Sequence, residues 1–396
     1  MADAPEKPYR VYRGGRAKGK VPLERVAREE RRSARSDGGG PGRIVEKRRR
    51  WTWKRWVPLA ILLLILLFVV WGVAGYFSLS GGVSDAHGRL PAGTSDVLKP
   101  DSGLLISSPT NILLLGTDHS QNGQAGRAAD EHSDSMMLLR TDPGRHRLTY
   151  LSIPRDLRAA IPGYGDQKIN AAMQIGGPKL TIRTVDTLLG SALQVNHVVV
   201  VDFSSFQKLI DAVGGIDVNV PENILSNKFD CPYPAGQCGS WQGWRFHKGV
   251  QHMSGHEALI YSRIRENKLD PAYSDFTRQQ HQQDVMQATL RKLSSFSTFL
   301  RLPFDGGSLM APIATDLSAW QLMQLGWVKF RSSAGGTVHC RLGGDVTDIG
   351  GGSYIVGTQE NFQVIQTVLG NSAPQPPSSG SLYAPGCTVG ATDSKH

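Results

Sequence analysis

"VNHVVVVDFSSFQKLIDAVGGIDVNV", residues 195–220, is the stretch on which the fold turns. Its first part, "VNHVVVVDF" (195–203), is mostly valine, whose branched Cβ suits a pleated surface, and it reads as a buried strand. "SSFQKLIDAVGG" (204–215) reads as a helix with Ser at its start and Gly at its end. "IDVNV" (216–220) is a strand again. The same alternation extends outward. "NILLLGTD" (111–118), "SMMLLRTD" (135–142) and "LTYLSIPRD" (148–156) are short apolar runs ending at polar residues, as buried strands do. "GGPKLTIRTVDTLLG" (176–190) reads as a helix with a Gly stop. On the other side, Ser254 and Glu257 form a capping box that opens "GHEALIYS", and Asp275 caps a longer helix to about residue 294. After residue 308 come a strand, the helix "AWQLMQLGWVKF", a strand near 337–342, "SYIVG" and "TQENFQVIQTVLG". Strands alternating with helices place the chain in the α/β class, as a sandwich.

The net charge of +10 over 396 residues suggests a nucleic-acid binder until the charge is located. Residues 1–56 hold 18 basic and 7 acidic residues, leaving 26 against 27 for the rest. The basicity therefore belongs to a tail, read as disordered, and the body is close to neutral. Next comes "VPLAILLLILLFVVWGVAGYF" (57–77), which has no charged residue. At about 1.5 Å per residue it spans roughly 30 Å, the thickness of a bilayer core. Trp51, Trp53 and Trp56 on one side, and Trp71 and Tyr76 near the other, sit where interfacial aromatics belong. The flank "EKRRRWTWKRW" is basic and "SLSGGVSDAHG" is not, so the N-terminus is expected in the cytoplasm and residues 78–396 outside. A polybasic segment beside a span prefers anionic membrane lipid, and no specific nucleic-acid partner is expected.

Four cysteines suit an oxidising exterior. Cys231 and Cys238 enclose a Pro/Gly turn that can close locally, leaving Cys340 with Cys387. We favour that pairing, although four cysteines allow three connectivities. Residues 78–108 read as a linker and 371–396 as a Pro/Ser/Gly-rich tail that Cys387 could pin.

In an open α/β sheet, ligands gather beyond the carboxyl ends of the strands. Asp118 ends the first strand, and Arg155 and Asp156 end the third. Asp134 lies just before the second strand and reaches that end if the intervening loop folds back. Further along, "LIYSRIRENKLDPAYSDFTRQQ" (259–280) sets Arg263, Arg265 and Arg278 close together. Crowded arginines repel unless they share an anion. Carboxylates hold a hard cation such as Mg²⁺, and arginines hold phosphate through forked hydrogen bonds. Outside a membrane, a lipid-linked diphosphate is the common source of such an anion.

The ordered set "NILLLGTD", "HSDSMMLLRTDP", "LSIPRDLRAAIPGYGDQKINAA", "GGPKLTIRTVDTLLG", "VDFSSFQKLIDAVGGIDVNV", "MSGHEALIYSRIR" and "SDFTRQQHQQ" resembles the LytR–CpsA–Psr family of membrane-anchored bacterial cell-wall enzymes. The Arg/Gly-rich tail and the cysteines look actinobacterial. The resemblance implies a three-layer α/β/α sandwich with a central mixed sheet over 109–370, preceded by one transmembrane helix. It also implies an apolar tunnel for a polyprenyl chain. The implied activity is phosphotransfer, moving a glycopolymer from a polyprenyl diphosphate carrier onto peptidoglycan through a phosphodiester. By motif, Asp118 and Asp134 would hold Mg²⁺, with Mn²⁺ an alternative. Arg155, Arg263 and Arg265 would grip the diphosphate with help from Lys168. Asp275 and Arg278 match the family's "DFGR", and Asp275 would orient an arginine or act as base.

Two departures weaken positive charge at this site as the motifs frame it. His132 in "EHSD" and His281 in "TRQQH" stand where the family often has Arg. The loop 222–248, with Trp241 and Trp244, is long; it reads either as a stapled local structure or as a sugar contact. Tyr261, Val285, Met286 and Leu290 are expected in the core, and His119, His197, His247 and His252 show no metal spacing. The competing readings are a pyrophosphatase, a non-catalytic binding scaffold and a transcriptional attenuator.

Overall fold

The structure is a computed structural model that describes residues 53–117, 133–270, 275–332, 334–378 and 383–390. The basic tail through residue 52 lies outside them. The chain divides into two units at Ile61–Leu62. The first contains the opening turns of helix α1 (Trp53–Arg89), and the second holds everything after them. By length and composition α1 is able to cross a membrane, and its apolar window is wholly exposed.

Seven strands form the central sheet: β1 (Thr110–Thr117), β2 (Ser133–Asp142), β3 (Arg147–Ile153), β4 (His197–Asp202), β5 (Ile313–Thr315), β6 (Thr337–Arg341) and β7 (Gly386–Val389). Their order is β5-β4-β1-β2-β3-β6-β7. The β1–β4 and β3–β6 pairs are parallel and the others antiparallel, so the sheet is mixed, as expected. Every residue of β1 is buried, which explains its unbroken apolar run: it is covered on both faces.

The two-residue period sorts side chains between two cores. Leu113, Leu115, Leu138, Leu151 and Val198 face one layer with Ile182, Val185 and Leu189 of α2 (Ala171–Leu189) and Val364 and Val368 of α8 (Glu360–Leu369). Ile112, Leu114, Met137 and Tyr150 face the other, with Met286 and Leu290 of α5 (Asp275–Leu293) and Val328 of α7 (Ala319–Arg331). Val201 packs on that second side with α3 (Phe203–Ala212) and α4 (Gly255–Arg263). α6 (Phe296–Met310) completes the helices.

Local signals were mostly read correctly, with some shifts. The Ser254–Glu257 capping box is present. α3 is capped by Asp202, not Ser204: the Asp202 carboxylate accepts from Ser205 N at 2.8 Å. α2 starts at Ala171 and is broken at Gly176–Gly177, where Gly177 has φ 61°, and Pro178 starts the second half. Cys231–Cys238 and Cys340–Cys387 are the two disulfides. Cys340 and Cys387 are register partners of β6 and β7, so the Pro/Ser/Gly tail supplies the sheet's edge strand.

The segment 78–108 is not a free linker. α1 runs on to Arg89, and its Leu79, Val83 and Ala86 pack with Met310 and Ala319. Further on, Leu105 is fully buried and Lys99 N donates to Val195 O at 2.8 Å. His197 lies between two carboxylates, with Nε2 2.9 Å from Asp101 and Nδ1 2.6 Å from Asp316. Burial opposes its charge, but Asp316 and Asp101 outweigh that and raise its pKa. The imidazole clasps the segment to β4 and the β5–α7 turn.

Candidate functional site

β2 is antiparallel to β1, and Ser133 pairs with Thr117 beyond a bulge at Gly116–Thr117. The start of β2 therefore lies at the carboxyl edge of β1. The ends of β3 and β4 lie at this edge too, because Met136 faces Ile153 and Thr117 faces Asp202. Asp134 is inside β2, not ahead of it, and the strand direction carries it to the edge that sequence reasoning required. Asp118 and His132 lie outside the described residues, and the side chain of Asp134 is likewise not described.

Just past β3, Arg155 and Lys168 converge on Asp156. Lys168 Nζ is 2.8 Å from Asp156 Oδ1, and Arg155 Nε is 3.4 Å from Asp156 Oδ2. Lys168 also sits over the Tyr354 ring, 5.5 Å from its centroid. The backbone here is pinned from two sides. Asn170 N donates to Arg155 O at 3.2 Å, and Ile355 N donates to Asp156 O at 3.0 Å. Two cations share one half-buried carboxylate, leaving a net positive patch with its donors pre-placed.

The second limb is built by α4 and α5. Arg263 is the last residue of α4, where a cation complements the helix dipole. Its guanidinium pairs with Asp230, a residue at φ 47° in the loop beside Cys231, and lies 5.8 Å from the Phe229 ring. Arg265 is exposed two residues on. Asp275 and Arg278 lie in the first turn of α5; their side chains are not described. Tyr261 and His281 join the two helices, stacked at 4.0 Å and both fully buried. Burial pushes the His281 pKa down to about 3, partly offset by a hydrogen bond to the Tyr261 backbone. His281 is thus a neutral core residue stacked on Tyr261, and its burial, as well as its identity, keeps positive charge from this position.

Beside the second limb is a cavity of about 20 Å³ lined by Gly116, Ser135, Val201, Phe206, Ser262, Gln282, Val285 and Met286. Its polar lining residues adjoin the expected site. Ser135 follows Asp134, Ser262 precedes Arg263, Gln282 is one turn past Arg278, and Gly116 is two residues before Asp118. This volume holds roughly one water, far less than a polyprenyl chain needs. Of the expected core set, Tyr261 and Val285 are buried, and Met286 and Leu290 pack at its margin.

The cysteine loop is locally stapled. Trp244 donates its indole N–H to Phe229 O at 3.0 Å and packs edge-on to Trp241 and His256. This arrangement supports the structural reading of the tryptophans. The loop's link to the site is Asp230, which sequence reasoning missed. No local pattern marks it, because its partner Arg263 is thirty-three residues away. Tyr354 was missed for the same reason.

Among the described residues no group of three or more His, Cys, Asp or Glu could hold a metal ion. Asp118 and Asp134, the pair expected from the sequence, would offer carboxylate oxygens, the donor type that a hard cation such as Mg²⁺ takes.

The fold and this edge define a class: a mixed α/β sandwich whose carboxyl edge sets basic side chains against acidic positions. The LytR_cpsA_psr family model matches residues 94–370, and the chain belongs to that family. The match starts within the segment first read as a linker, in keeping with its packing. The chain is 34% identical over 218 residues to "Regulatory protein MsrR" of Staphylococcus aureus strain Mu50, covering 54% of this chain and 59% of that protein. The aligned part thus spans less than two thirds of the staphylococcal protein. The chain is 33% identical over 274 residues to "Polyisoprenyl-teichoic acid--peptidoglycan teichoic acid transferase TagU" of Bacillus mycoides, covering 66% of this chain and 82% of that one. Among solved structures, TagT of B. subtilis bound to LI-WTA matches with a TM-score of 0.52 and 25% identity, covering 71% of this chain and 98% of that one.

Proposed function

We propose that this chain is a membrane-anchored phosphotransferase that moves a glycopolymer from a polyprenyl diphosphate carrier onto a peptidoglycan hydroxyl. Two observations support the reading: Arg155 and Lys168 meet at Asp156 just past β3, and Arg263 ends α4 next to Ser262, which lines a mostly apolar cavity with Gly116 of β1. The transferase name of the Bacillus mycoides relative and the ligand of TagT support the same reading. The α1 apolar run serves as the anchor, with the N-terminus cytoplasmic and the domain outside, as the basic flank argues.

In this reading the acceptor oxygen attacks the phosphorus that bears the sugar. The P–O bond to the bridging oxygen breaks, and polyprenyl phosphate leaves. The hydroxyl proton passes to Asp275. Arg155, Lys168, Arg263, Arg265 and Arg278 hold the diphosphate and its growing charge. Asp118 and Asp134 would hold Mg²⁺, or Mn²⁺, which when bound neutralises charge on the phosphate oxygens. Arg263 and Asp230 are each nearly half exposed, so their pair is worth at most about 1 kcal/mol. A diphosphate oxygen therefore displaces Asp230 from the guanidinium fork at little cost. Entry of the prenyl chain requires Met286 and its neighbours to move, and Met is the side chain best suited to repack.

The test uses the full chain in lipid nanodiscs with a short-chain polyprenyl diphosphate sugar, Mg²⁺ and peptidoglycan fragments, read by mass spectrometry. A sugar–phosphate–peptidoglycan adduct, lost in Asp118→Ala and Arg263→Ala, is the expected result. Free phosphosugar without adduct would make the chain a pyrophosphatase. Arginine-dependent binding without turnover would make it a scaffold.

A further inference from the structure

We infer that the outer face of a small accessory sheet beside Asp156 receives the peptidoglycan acceptor, with the ring of Tyr354 stacked on one of its sugars. This rests on the phosphotransferase reading above.

Two hairpins build the accessory sheet. One pairs Arg158–Ile161 with Gly165–Lys168, and the other pairs Gly344–Ile349 with Gly352–Gly357. A parallel bridge between Leu157 and Ile355, with a hydrogen bond from Ile355 N to Asp156 O, joins them side by side. Leu157 and Ile355 are buried, so their neighbours Arg158 and Tyr354 face outward by the two-residue period. Paired residues share a face, which puts Lys168 with Arg158, and Thr347 with Tyr354, on the same outer surface. The Lys168 ammonium, 5.5 Å from the centroid of the Tyr354 ring, agrees with this.

The chemistry of this face suits a glycan. Its charges are already paired, Arg158 with Asp166 at 3.0 Å and Lys168 with Asp156 at 2.8 Å, so it does not select a polyanion. The Tyr354 ring offers an apolar plane for the C–H face of a pyranose, and the groups around it can donate to or accept from sugar hydroxyls. One flank of the ring is kept bare by Gly352, where a Cβ would lie 3.3 Å from Tyr354 Cε2.

Its place suits the acceptor. The accessory sheet packs through Leu157, Ala159 and Ile355 onto the core on the α2 side of the central sheet. Val201 and Val285 of the mostly apolar cavity belong to the core on the other side. In phosphoryl transfer the attacking and leaving oxygens are roughly in line. A prenyl phosphate that leaves toward the cavity therefore has the acceptor approach from the side that carries Tyr354. A sugar on this ring also lies next to Lys168, which in the proposed reaction holds the diphosphate.

The test measures adduct formation by the full chain in nanodiscs, varying the peptidoglycan fragments at saturating carrier and then the reverse. Tyr354→Ala and Tyr354→Leu should raise the KM for the fragments roughly five- to tenfold, the value of one aromatic contact, and leave the KM for the carrier unchanged. The leucine keeps apolar bulk beside Lys168, so it stays informative if the alanine variant loses stability. Tyr354→Phe keeps the ring and should keep the low KM for the fragments. Trp327→Ala removes an exposed aromatic of α7 and should move neither KM. An unchanged KM for the fragments in both the alanine and leucine variants overturns the inference alone. A change confined to the carrier KM or to kcat makes Tyr354 a prop for Lys168, and overturns it too. No adduct from the wild type overturns the phosphotransferase reading, and the inference with it.

Discussion

Arg263 ends α4 with its guanidinium paired to an exposed carboxylate, an arrangement that makes it replaceable for folding and leaves it, in the proposed reaction, to hold the diphosphate. Arg263→Ala should change the unfolding free energy by no more than about 1 kcal/mol, the most an exposed pair is worth. It should cost roughly 2–5 kcal/mol in transfer, because one arm of a charged contact is lost. Arg263→Lys should fail too, since a point charge does not reproduce the fork; thermal denaturation and adduct yield check both variants. Asp230→Asn separates two roles for the loop. If Asp230 only occupies the fork, its loss tightens diphosphate binding by up to about fivefold, within the value of an exposed pair. If it aims Arg263, binding weakens. His281 gives a pH signature. Its pKa is about 3 when folded, against an ordinary value near 6.5, so the unfolded chain takes up the proton first. Its contribution to stability is complete above about pH 6.5 and is lost as pH falls toward 3, amounting to about 2 kcal/mol at pH 5. A His281→Gln variant should show a flatter decline in urea midpoint over that window. At this scale the sequence exposed residues that sit in motifs, such as Arg155 and Lys168. It concealed Asp230 and Tyr354, whose roles come only from distant pairing, and it misplaced His281, whose burial depends on Tyr261 across the α4–α5 contact.

Among the elements, those with a clean period or a cap were legible: α4 through its Ser254–Glu257 box, and β1 through its apolar run. α6 was not. Pro303 and Gly306–Gly307 read as helix breakers, yet the helix runs through all three. The glycines are there because α1 lies against them: a Cβ on Gly306 would come within 3.0 Å of Leu79 N, and one on Gly82 would meet Met310 Cβ at 2.8 Å. That is a tertiary reason, which local sequence does not carry. Gly82→Leu should therefore part α1 from α6, lowering the melting temperature of the full chain and raising protease cleavage near Ser294. β7 was hidden in a Pro/Ser/Gly tail because four residues give no period, and its position is set by Cys387. Cys387→Ser opens a loop of 47 residues, for which chain entropy suggests roughly 4 kcal/mol. The variant should unfold at lower urea while β7 gains hydrogen exchange ahead of β6.

For the molecule as a whole, the α/β class was readable from strand–helix alternation, and strand direction brings the start of β2, with Asp134, to the carboxyl edge of β1. The small cavity was not, because its width depends on how Phe206, Val285 and Met286 pack across helices and the sheet. A body near neutrality bearing one cationic edge suits a single anionic headgroup better than a polyanion. The clasp of His197 with Asp101 and Asp316, together with the α1 seam, ties the domain to the segment leading from the apolar helix. The most direct test of the central claim follows one phosphorus atom. The carrier would be made with ³²P only in the sugar-proximal phosphate, and the full chain in nanodiscs supplied with peptidoglycan fragments. The account predicts label in the peptidoglycan fragment and none in the released polyprenyl phosphate. Label in free phosphosugar, or remaining on the lipid, would contradict it.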